Sequence, residues 1–520
     1  MQRKIHFLLS LFFIGVNVMA QSTDKTLAKT TEGRVRGIFN EATKVYIYKG
    51  IPFAAPPVGS LRWKAPQSAS SWQGIRNCDA FGASAPQGKP VPFAMYTAEF
   101  LIPQEPINED CLYLNVWTRS LAKNAKKPVI VWIHGGAFIS GSGSCPIYDG
   151  ENMAKQGVVF VTINYRLGAF GFLAHPDLTK ESPQHASGNY AFLDQLAALQ
   201  WVQRNIANFG GDPGRVTIAG QSAGSFSVNA LAASPLSKGL FHRVIAESGG
   251  MFNSDGRIFT LQAAENNGIK VMETVKASSI EEMRKMPADE LIKAAGYGVV
   301  GPVIDGYVLP ESVYDIYDKS KQNDVPVLTG WNRDEGFAPP GNMSPDTYKA
   351  NAEKQYGDLA DEFLKAYPGN SGEEIKKSQM SWSRNSTFSW HAFTWARLQT
   401  QKGKAKVFLY QFDRVPPENE KYGAFHSAEI AYALNSLHTW HRPWTDEDRR
   451  LEKLMSAYWV NFATTGDPNG KGLPKWNAFS VTSPVLMEFD AKETKLNLVP
   501  NLAGFEFIDR YQQQQREKRN

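Results

Sequence analysis

Cysteine is scarce in this chain: only Cys78, Cys111 and Cys145 occur among its 520 residues. An odd number leaves at least one thiol unpaired within a monomer. A chain of this length can bury enough apolar surface to fold without disulfide bonds. The sequence is therefore outside the small disulfide-rich class, and its cysteines do not indicate a redox compartment.

An excess of charge of one sign is also absent. The net charge is +5 over 520 residues, and no basic cluster is interleaved with aromatic residues, which argues against nucleic acid as a partner. The chain has no zinc-type ligand spacing and no glycine-rich phosphate-binding loop. We therefore expect neither a metal ion nor an organic cofactor.

Long hydrophobic runs are absent beyond the N-terminus. There, two basic residues precede an apolar run from Phe7 to Val18, which is too short to span a hydrocarbon core of ~30 Å comfortably. The tripeptide Val18-Met19-Ala20 is typical of a signal-peptidase site, with Gln21 as the first mature residue. We predict a signal peptide over residues 1–20 and a secreted or periplasmic protein without a membrane span. The alternative is a core helix that opens the domain.

Short apolar runs alternate with longer helix-like stretches through much of the chain. Apolar runs that end at turn residues are typical of buried parallel strands, and their alternation with helices predicts an α/β fold with a large, mostly parallel sheet. The predicted strands cover residues 128–133, 158–163, 216–219, 243–246, 325–329 and 407–410, and the predicted helices cover residues 190–205 and 222–233.

The remaining segments are predicted to decorate this sheet rather than to form a second domain. Residues 262–293 and 345–406 are more helical and more charged, and we interpret them as helical insertions over the sheet. From Arg510 onward we expect a frayed helix or a disordered tail. Residues 21–520 are therefore predicted to form one domain, with a monomer as the default expectation.

The clearest chemical motif is Gly-Gln-Ser-Ala-Gly at residues 220–224. It follows a predicted strand and precedes a predicted helix, which is the context of a nucleophile elbow. Such a turn holds the serine in a strained conformation, and flanking glycines allow the strand and the helix to approach closely. We therefore predict that Ser222 is a nucleophile.

A serine nucleophile needs backbone donors for the oxyanion that its attack creates. The segment His134-Gly135-Gly136-Ala137-Phe138 follows another predicted strand, and its small residues allow the backbone to approach a substrate carbonyl. The expected donors are the amides of Gly136, Ala137 and Ala223.

The serine also needs a histidine base and an acid that orients it. Four histidines lie downstream of the central sheet, and among them His426 lies in a loop beyond the strand at 407–410, where catalytic groups are common. The loop after the strand at 325–329 contains two adjacent candidate acids, Asp334 and Glu335. Chain order alone does not choose between them.

Together these segments resemble the type-B carboxylesterase/cholinesterase family, and especially its bacterial carboxylesterases of the para-nitrobenzyl esterase type. The resemblance covers nearly the whole mature chain and implies an α/β-hydrolase fold. Besides the serine motif, its segments are Gly50–Ala54, Glu109–Trp117, His134–Phe138, Asn164–Arg166, Glu247–Gly249, Asp334–Gly336, Gly423–Glu429 and Gly466–Asn469.

The resemblance implies a role for individual residues. The catalytic glutamate of the family's Asp-Glu-Gly motif corresponds to Glu335, and the base of its Gly-x-x-His-x-x-Glu motif corresponds to His426. The family's oxyanion donors match the same three amides. It also implies two structural ion pairs, Arg62 with Glu109 and Arg166 with Asp194.

Three departures from the family pattern affect the interpretation. In many members, the cysteine that corresponds to Cys111 forms a disulfide with an upstream cysteine. This chain has Ala85 at that upstream position, so a Cys78–Cys111 bridge is the alternative. Gln221 stands where a glutamate is common, which removes a negative charge that helps cholinesterases to hold a cationic substrate. The loop before Glu109 has no tryptophan to stack on choline. The resemblance therefore does not extend to cholinesterase activity.

We predict a serine carboxylesterase that hydrolyses small-molecule esters through a Ser-Glu-His triad and an acyl-enzyme. One alternative is an amidase or peptidase on the same fold, which a comparison of ester and amide substrates would distinguish. The other is a catalytically idle adhesion module, which some members have become by losing the triad.

Overall fold

The computed structural model describes residues 24–103, 106–253, 258–337 and 341–519. The predicted signal peptide, residues 1–20, lies outside these ranges. Within them, each of the six apolar runs that the sequence predicts as strands forms part of one large sheet. None of the helices in these ranges is both long and apolar enough to cross a membrane.

The strands are short, and many of them are rich in β-branched and aromatic residues, which favour extended backbone. In chain order they are β1 Leu27–Lys29, β2 Arg34–Arg36, β3 Ile38–Asn40, β4 Val45–Pro52, β5 Ile75–Asn77, β6 Tyr113–Thr118, β7 Lys127–Ile133, β8 Val159–Ile163, β9 Gly211–Gln221, β10 Arg243–Glu247, β11 Phe259–Thr260, β12 Val303–Ile304, β13 Val327–Asn332, β14 Val407–Phe412, β15 Val485–Phe489 and β16 Thr494–Leu498.

Eleven of these strands form the large sheet, in the order β16-β15-β14-β13-β10-β9-β7-β8-β6-β4-β3. The seven from β15 to β8 run parallel, whereas β16 at one edge and β6, β4 and β3 at the other are antiparallel to their neighbours. The predicted, mostly parallel sheet is therefore confirmed. Its parallel strands end at one edge, which brings their loops together.

Helices cover the sheet and fill the connections between its strands. In chain order they are α1 Glu151–Lys155, α2 Gly168–Phe172, α3 Pro176–Glu181, α4 Tyr190–Asn205, α5 Ala223–Ala233, α6 Leu261–Thr274, α7 Ile280–Met283, α8 Ala288–Ala295, α9 Val313–Asp318, α10 Pro345–Tyr356, α11 Ala360–Ala366, α12 Gly372–Arg384, α13 Trp390–Lys402, α14 Ile430–Ala433, α15 Asp446–Thr465 and α16 Leu502–Arg519. The predicted helical insertions correspond to α6–α8 and α10–α13. The tail from Arg510 is helical as part of α16.

The apolar core lies on both faces of the sheet, because successive residues of a strand point to opposite faces. In β7, Val129, Val131 and Ile133 belong to one buried cluster, whereas Ile130 and Trp132 belong to the other. Helices α4, α5 and α13 contribute to the first cluster and α15 to the second. A strand buried on both faces reads as a continuous apolar run, which is why the sequence identifies it.

Both ion pairs that the resemblance implies are present. Arg62 Nε lies 2.8 Å from Glu109 Oε2. Arg166 contacts Asp194 in a bidentate arrangement, with Nε–Oδ2 and Nη2–Oδ1 distances of 2.8 and 2.7 Å. The second pair is almost fully buried and joins the loop after β8 to α4. It therefore acts as a polar cross-link below the site described next.

The three cysteines are all buried free thiols, so the Cys78–Cys111 bridge considered above does not form. Burial raises the pKa of the Cys78 and Cys145 thiols to about 12 and raises that of Cys111 as well. Such thiols behave as small apolar core residues rather than as nucleophiles.

Candidate active site

Ser222 occupies a sharp turn between β9 and α5. Its φ of 57° is unusual for a residue with a side chain. The Ser222 amide donates to the Glu247 carbonyl at 2.9 Å, and its own carbonyl accepts from the Phe226 amide at 2.9 Å. These two bonds to neighbouring elements hold the strained backbone in place.

The glycines on either side of Ser222 are required because three elements meet there. A Cβ on Gly224 would lie 2.0 Å from the Ile133 carbonyl oxygen, and a Cβ on Gly220 would lie 2.7 Å from the same atom. Both contacts are shorter than a carbon–oxygen contact allows. The two glycines therefore let the end of β7 pass directly against the turn.

The loop after β7 carries the predicted oxyanion donors. Gly136 has a φ of 109°, and Ala137 has a φ of 54°, so strained backbone continues along the loop. A Cβ built on Gly135 would lie 3.2 Å from the Ser222 Cβ, which shows how closely the loop approaches the serine. In the described part of the chain, the Gly136 and Ala137 amides have no protein acceptor. The Ala223 amide opens α5 and has no partner within that helix.

The histidine of this loop has a structural place. The His134 ring stacks on Tyr165 at 4.3 Å, and the Tyr165 hydroxyl donates to the His134 carbonyl at 2.8 Å. Burial lowers the pKa of His134 to about 4, so this ring is neutral at neutral pH. His134 therefore fixes the start of the oxyanion loop and does not act as a second base.

His426 contacts one of the two adjacent carboxylates. Its Nδ1 lies 2.8 Å from Glu335 Oε2, and the Asn332 amide donates to Glu335 Oε1 at 2.9 Å. Asp334 is directed elsewhere: its Oδ2 accepts from the Arg333 side chain and, at 2.9 Å, from the Ala424 amide. The geometry therefore distinguishes Glu335, which contacts His426, from Asp334, which does not, whereas chain order alone could not.

Ser222 and His426 line the same cavity, which has a volume of about 470 Å³. No hydrogen bond joins the Ser222 hydroxyl to the His426 ring within the described ranges. In free hydrolases such bonds are often long and tighten when a substrate binds. His391, His438 and His441 do not line this cavity.

The cavity has an apolar wall and an open rim. Tyr96, Phe100 and Ile102 contribute to its wall, while Val91 and Phe93 are 65% and 62% exposed at its rim. Among the lining residues that the structure describes, Lys89 has the only side chain with a permanent charge, and none carries a carboxylate. Its electrostatics are therefore unsuited to a cationic ligand.

Two further glutamates are buried beneath His426 and Glu335. Burial raises the pKa of Glu247 to about 8, although the Trp459 indole donates to its Oε1 at 2.7 Å. Burial is also the largest cause that raises the pKa of Glu429, and repulsion from Glu247 and Glu335 raises it further. The Asn332 side chain donates to Glu429 Oε2 and its backbone amide donates to Glu335 Oε1, so Asn332 joins Glu429 and Glu335 to the end of β13.

Sequence reasoning did not identify Asn332 or Tyr96 as parts of this site. The Tyr96 hydroxyl donates to the His426 carbonyl at 3.1 Å across 330 positions of the chain. Neither residue belongs to a motif of catalytic residues, so only the fold brings them to the histidine.

In the described residues no group of three or more side chains is arranged to hold a metal ion.

Comparisons with known proteins identify the family of this chain. The model of the Carboxylesterase family matches residues 24–508. The chain is 36% identical to fumonisin B1 esterase of Sphingopyxis macrogoltabida, over 89% of this chain and 86% of that protein. It is 34% identical to para-nitrobenzyl esterase of Bacillus subtilis, over 90% and 95%. A solved structure of PNB esterase superimposes with a TM-score of 0.78 at 32% identity, covering 93% of this chain and 100% of that one. The chain belongs to the carboxylesterase family and is a carboxylic ester hydrolase.

Proposed function

We propose that Ser222 is the nucleophile of this esterase, His426 its general base and Glu335 the acid that orients the histidine. The observation that carries this proposal is the 2.8 Å contact between His426 Nδ1 and Glu335 Oε2, in a cavity that Ser222 also lines. A carboxylate at Nδ1 fixes the tautomer in which Nε2 has a free lone pair. That lone pair is what accepts the serine proton.

The reaction then proceeds by two acyl transfers. Nε2 of His426 takes the Ser222 proton as the serine oxygen attacks the ester carbonyl, and the oxyanion accepts bonds from Gly136, Ala137 and Ala223. The intermediate collapses, His426 protonates the departing alkoxide, and an acyl-enzyme is left. Water repeats the sequence and releases the acid. Each oxyanion donor is expected to contribute about 3 kcal/mol, and proton transfer a factor of ~100 to 10,000.

The preferred substrate is proposed to be an ester with a neutral, apolar alcohol or acyl part. Aromatic and aliphatic side chains form the described cavity wall, and Gln221 at the cavity floor is uncharged. A cationic alcohol would lose its hydration shell on entering the cavity, and the described lining residues offer no carboxylate to compensate for that loss. The two bacterial relatives are named for different esters, fumonisin B1 and para-nitrobenzyl esters, so their names do not select one substrate.

We further propose that the protein is exported and acts as a monomer built from one domain, residues 21–520. The support is the basic and apolar N-terminal segment followed by Val18-Met19-Ala20. Mass spectrometry of the N-terminal peptide of the protein recovered outside the cytoplasm should place its first residue at Gln21, free or as pyroglutamate. A protein recovered with Met1 intact would contradict export by cleavage at this site.

The catalytic proposal is tested by hydrolysis of p-nitrophenyl esters from acetate to laurate. Ser222→Ala should lower kcat by at least ~1,000-fold, because only the oxyanion donors and binding remain. Ser225→Ala is the matched control: this serine lies on the same helix, but its hydroxyl bonds to the Gly249 carbonyl at 2.8 Å. It should retain most of the activity.

The same measurement separates the alternatives. Wild-type activity on an ester, with little on the anilide of the same acid, supports an esterase over an amidase. Equal activity of Ser222→Ala and wild type would refute the mechanism. A folded but inactive wild type would favour a non-catalytic role.

A further inference from the structure

The His426 ring is contacted on both of its faces. On one face Phe388 is stacked, with ring centroids 4.3 Å apart and planes inclined by 20°. The Gln221 Nε2 atom lies 3.3 Å from His426 Nδ1 and 3.4 Å from Nε2. An atom nearly equidistant from both nitrogens must lie over the ring face, because in the ring plane it would collide with Cε1 between them. Since Phe388 fills one face, the amide covers the other.

The orientation of the Gln221 amide is fixed by the residue next to the histidine. The Ser427 hydroxyl donates to Gln221 Oε1 at 3.1 Å, so the amide oxygen faces Ser427 and the amide nitrogen faces the ring. Gln221 itself is 2% exposed and ends β9, where its backbone pairs with Glu247. The amide is therefore held from both ends of its side chain.

Phe388, on the opposite face of the His426 ring, is also fixed in its position. Phe388 lies in the single π-helical turn Asn385–Ser389, which interrupts the helical path between α12 and α13. Turns of this kind are frequent at functional sites because they redirect a side chain. Phe388 is 5% exposed, so it cannot swing away from the ring without opening the packing of that helix.

The contacts of Phe388 and Gln221 restrict a motion of the imidazole ring that the Glu335 hydrogen bond does not restrict. The Nδ1–Oε2 hydrogen bond fixes one edge of the ring, but a single hydrogen bond leaves the ring some freedom to rock about its Cβ–Cγ bond. Two flat groups on opposite faces remove this freedom and leave the Nε2 edge directed into the cavity. A carboxylate placed over the ring face in exchange for this amide would stabilise the imidazolium.

We propose that Gln221 is a positioning residue for His426. Together with Phe388 it clamps the imidazole so that Nε2 stays directed toward Ser222. Ser427 is the residue that orients this amide. The proposal rests on the catalytic roles proposed above and assigns a function to the residue that precedes the nucleophile in the serine motif.

The test uses four variants of the full chain: Gln221→Ala, Gln221→Glu, Ser427→Ala and the double variant Gln221→Ala/Ser427→Ala. On two neutral esters with different alcohols, Gln221→Ala should lower kcat by about 10-fold and change KM by less than about 2-fold, because the base is misplaced while the rest of the cavity lining is unchanged. Ser427→Ala should cause a smaller loss. The double variant should lose less than the sum of the two single losses, because the hydroxyl acts mainly through the amide.

The pH profile of kcat/KM provides the readout that a purely structural role would not move. Gln221→Glu keeps the shape of the side chain, so its kcat should approach that of wild type on the alkaline side. Its acid limb should move to higher pH, because the new carboxylate stabilises the protonated ring. The titratable groups that already surround the ring are Glu335 at Nδ1, Tyr96 at its carbonyl and Glu429 behind Asn332, and all remain in every variant.

The outcomes are distinguishable. Wild-type kcat in Gln221→Ala, or additive losses in the double variant, would overturn the clamp. An acid limb in Gln221→Glu that coincides with wild type would overturn the placement of residue 221 against the ring. If Gln221→Ala fails to fold, Ser427→Ala and Gln221→Glu still carry the test. The reactivity of Ser222→Ala, measured alongside, reports separately on the proposed nucleophile.

Discussion

The contact between Gly224 and Ile133 makes the geometry of the serine turn open to a direct test. In Gly224→Ala, the new Cβ would lie 2.0 Å from the Ile133 carbonyl oxygen and 3.1 Å from the His134 carbonyl carbon. These are backbone atoms of β7 and its loop, so no side chain can turn aside to make room. The start of α5 must therefore move away from β7 by about 1 Å, to a contact distance that side chains tolerate.

Two effects follow from this displacement. Overpacking of this kind destabilises a protein by ~1 to 3 kcal/mol. A shift of ~1 Å between a nucleophile and its oxyanion donors lowers the rate by ~100-fold. We therefore expect Gly224→Ala to lower kcat on a p-nitrophenyl ester by about 100-fold while the thermal unfolding midpoint falls by only a few degrees.

Gly372→Ala is the matched control. A Cβ on Gly372, the first residue of α12, would meet nothing within 4 Å. This variant should keep wild-type kcat and an unchanged or slightly higher midpoint, because alanine favours helix more than glycine does. Wild-type kcat in Gly224→Ala would refute the reasoning from close packing at the turn.

Three further predictions concern charged residues. Glu335→Gln should lower kcat by ~1,000-fold or more, since an amide cannot stabilise the imidazolium, whereas Asp334→Asn should stay within ~10-fold of wild type in the same ester assay. Because burial raises the pKa of Glu247 from 4.5 to about 8, the folded state should lose stability as pH rises between those values; Glu247→Gln should lessen this decline in unfolding midpoints measured at pH 5 to 9, and an unchanged decline would contradict it. Asp194→Ala should lower the free energy of unfolding by ~3 to 5 kcal/mol in urea titrations, because it leaves the Arg166 guanidinium buried without its partner, and a change below ~1 kcal/mol would count against this account.

The central strands could be predicted from the sequence because they are buried on both faces. β7 and β8 read as continuous β-branched runs, and α4 begins and ends at the predicted residues, Tyr190–Asn205. The edge strand β16 was not predicted, because it is largely exposed and carries no continuous apolar signal.

The local motifs of the site were also readable, whereas its long-range contacts were not. Residues 220–224 and 134–138 each form one turn, so their glycine pattern is visible within a few positions of the chain. The clamp on His426 joins Gln221 to a residue 205 positions away, and no local pattern encodes that distance. The choice between Asp334 and Glu335 likewise depends on which one the loop turns toward His426. The export signal remains a prediction.

The role of Ser222 is tested most directly by covalent labelling. Diethyl p-nitrophenyl phosphate should transfer one diethylphosphoryl group per chain, release one equivalent of p-nitrophenol and abolish ester hydrolysis. Peptide mapping by mass spectrometry should then place the added mass on Ser222, and Ser222→Ala should remain unlabelled under the same conditions. Stoichiometric labelling of a different residue, with loss of activity and with Ser222 unmodified, would contradict the account.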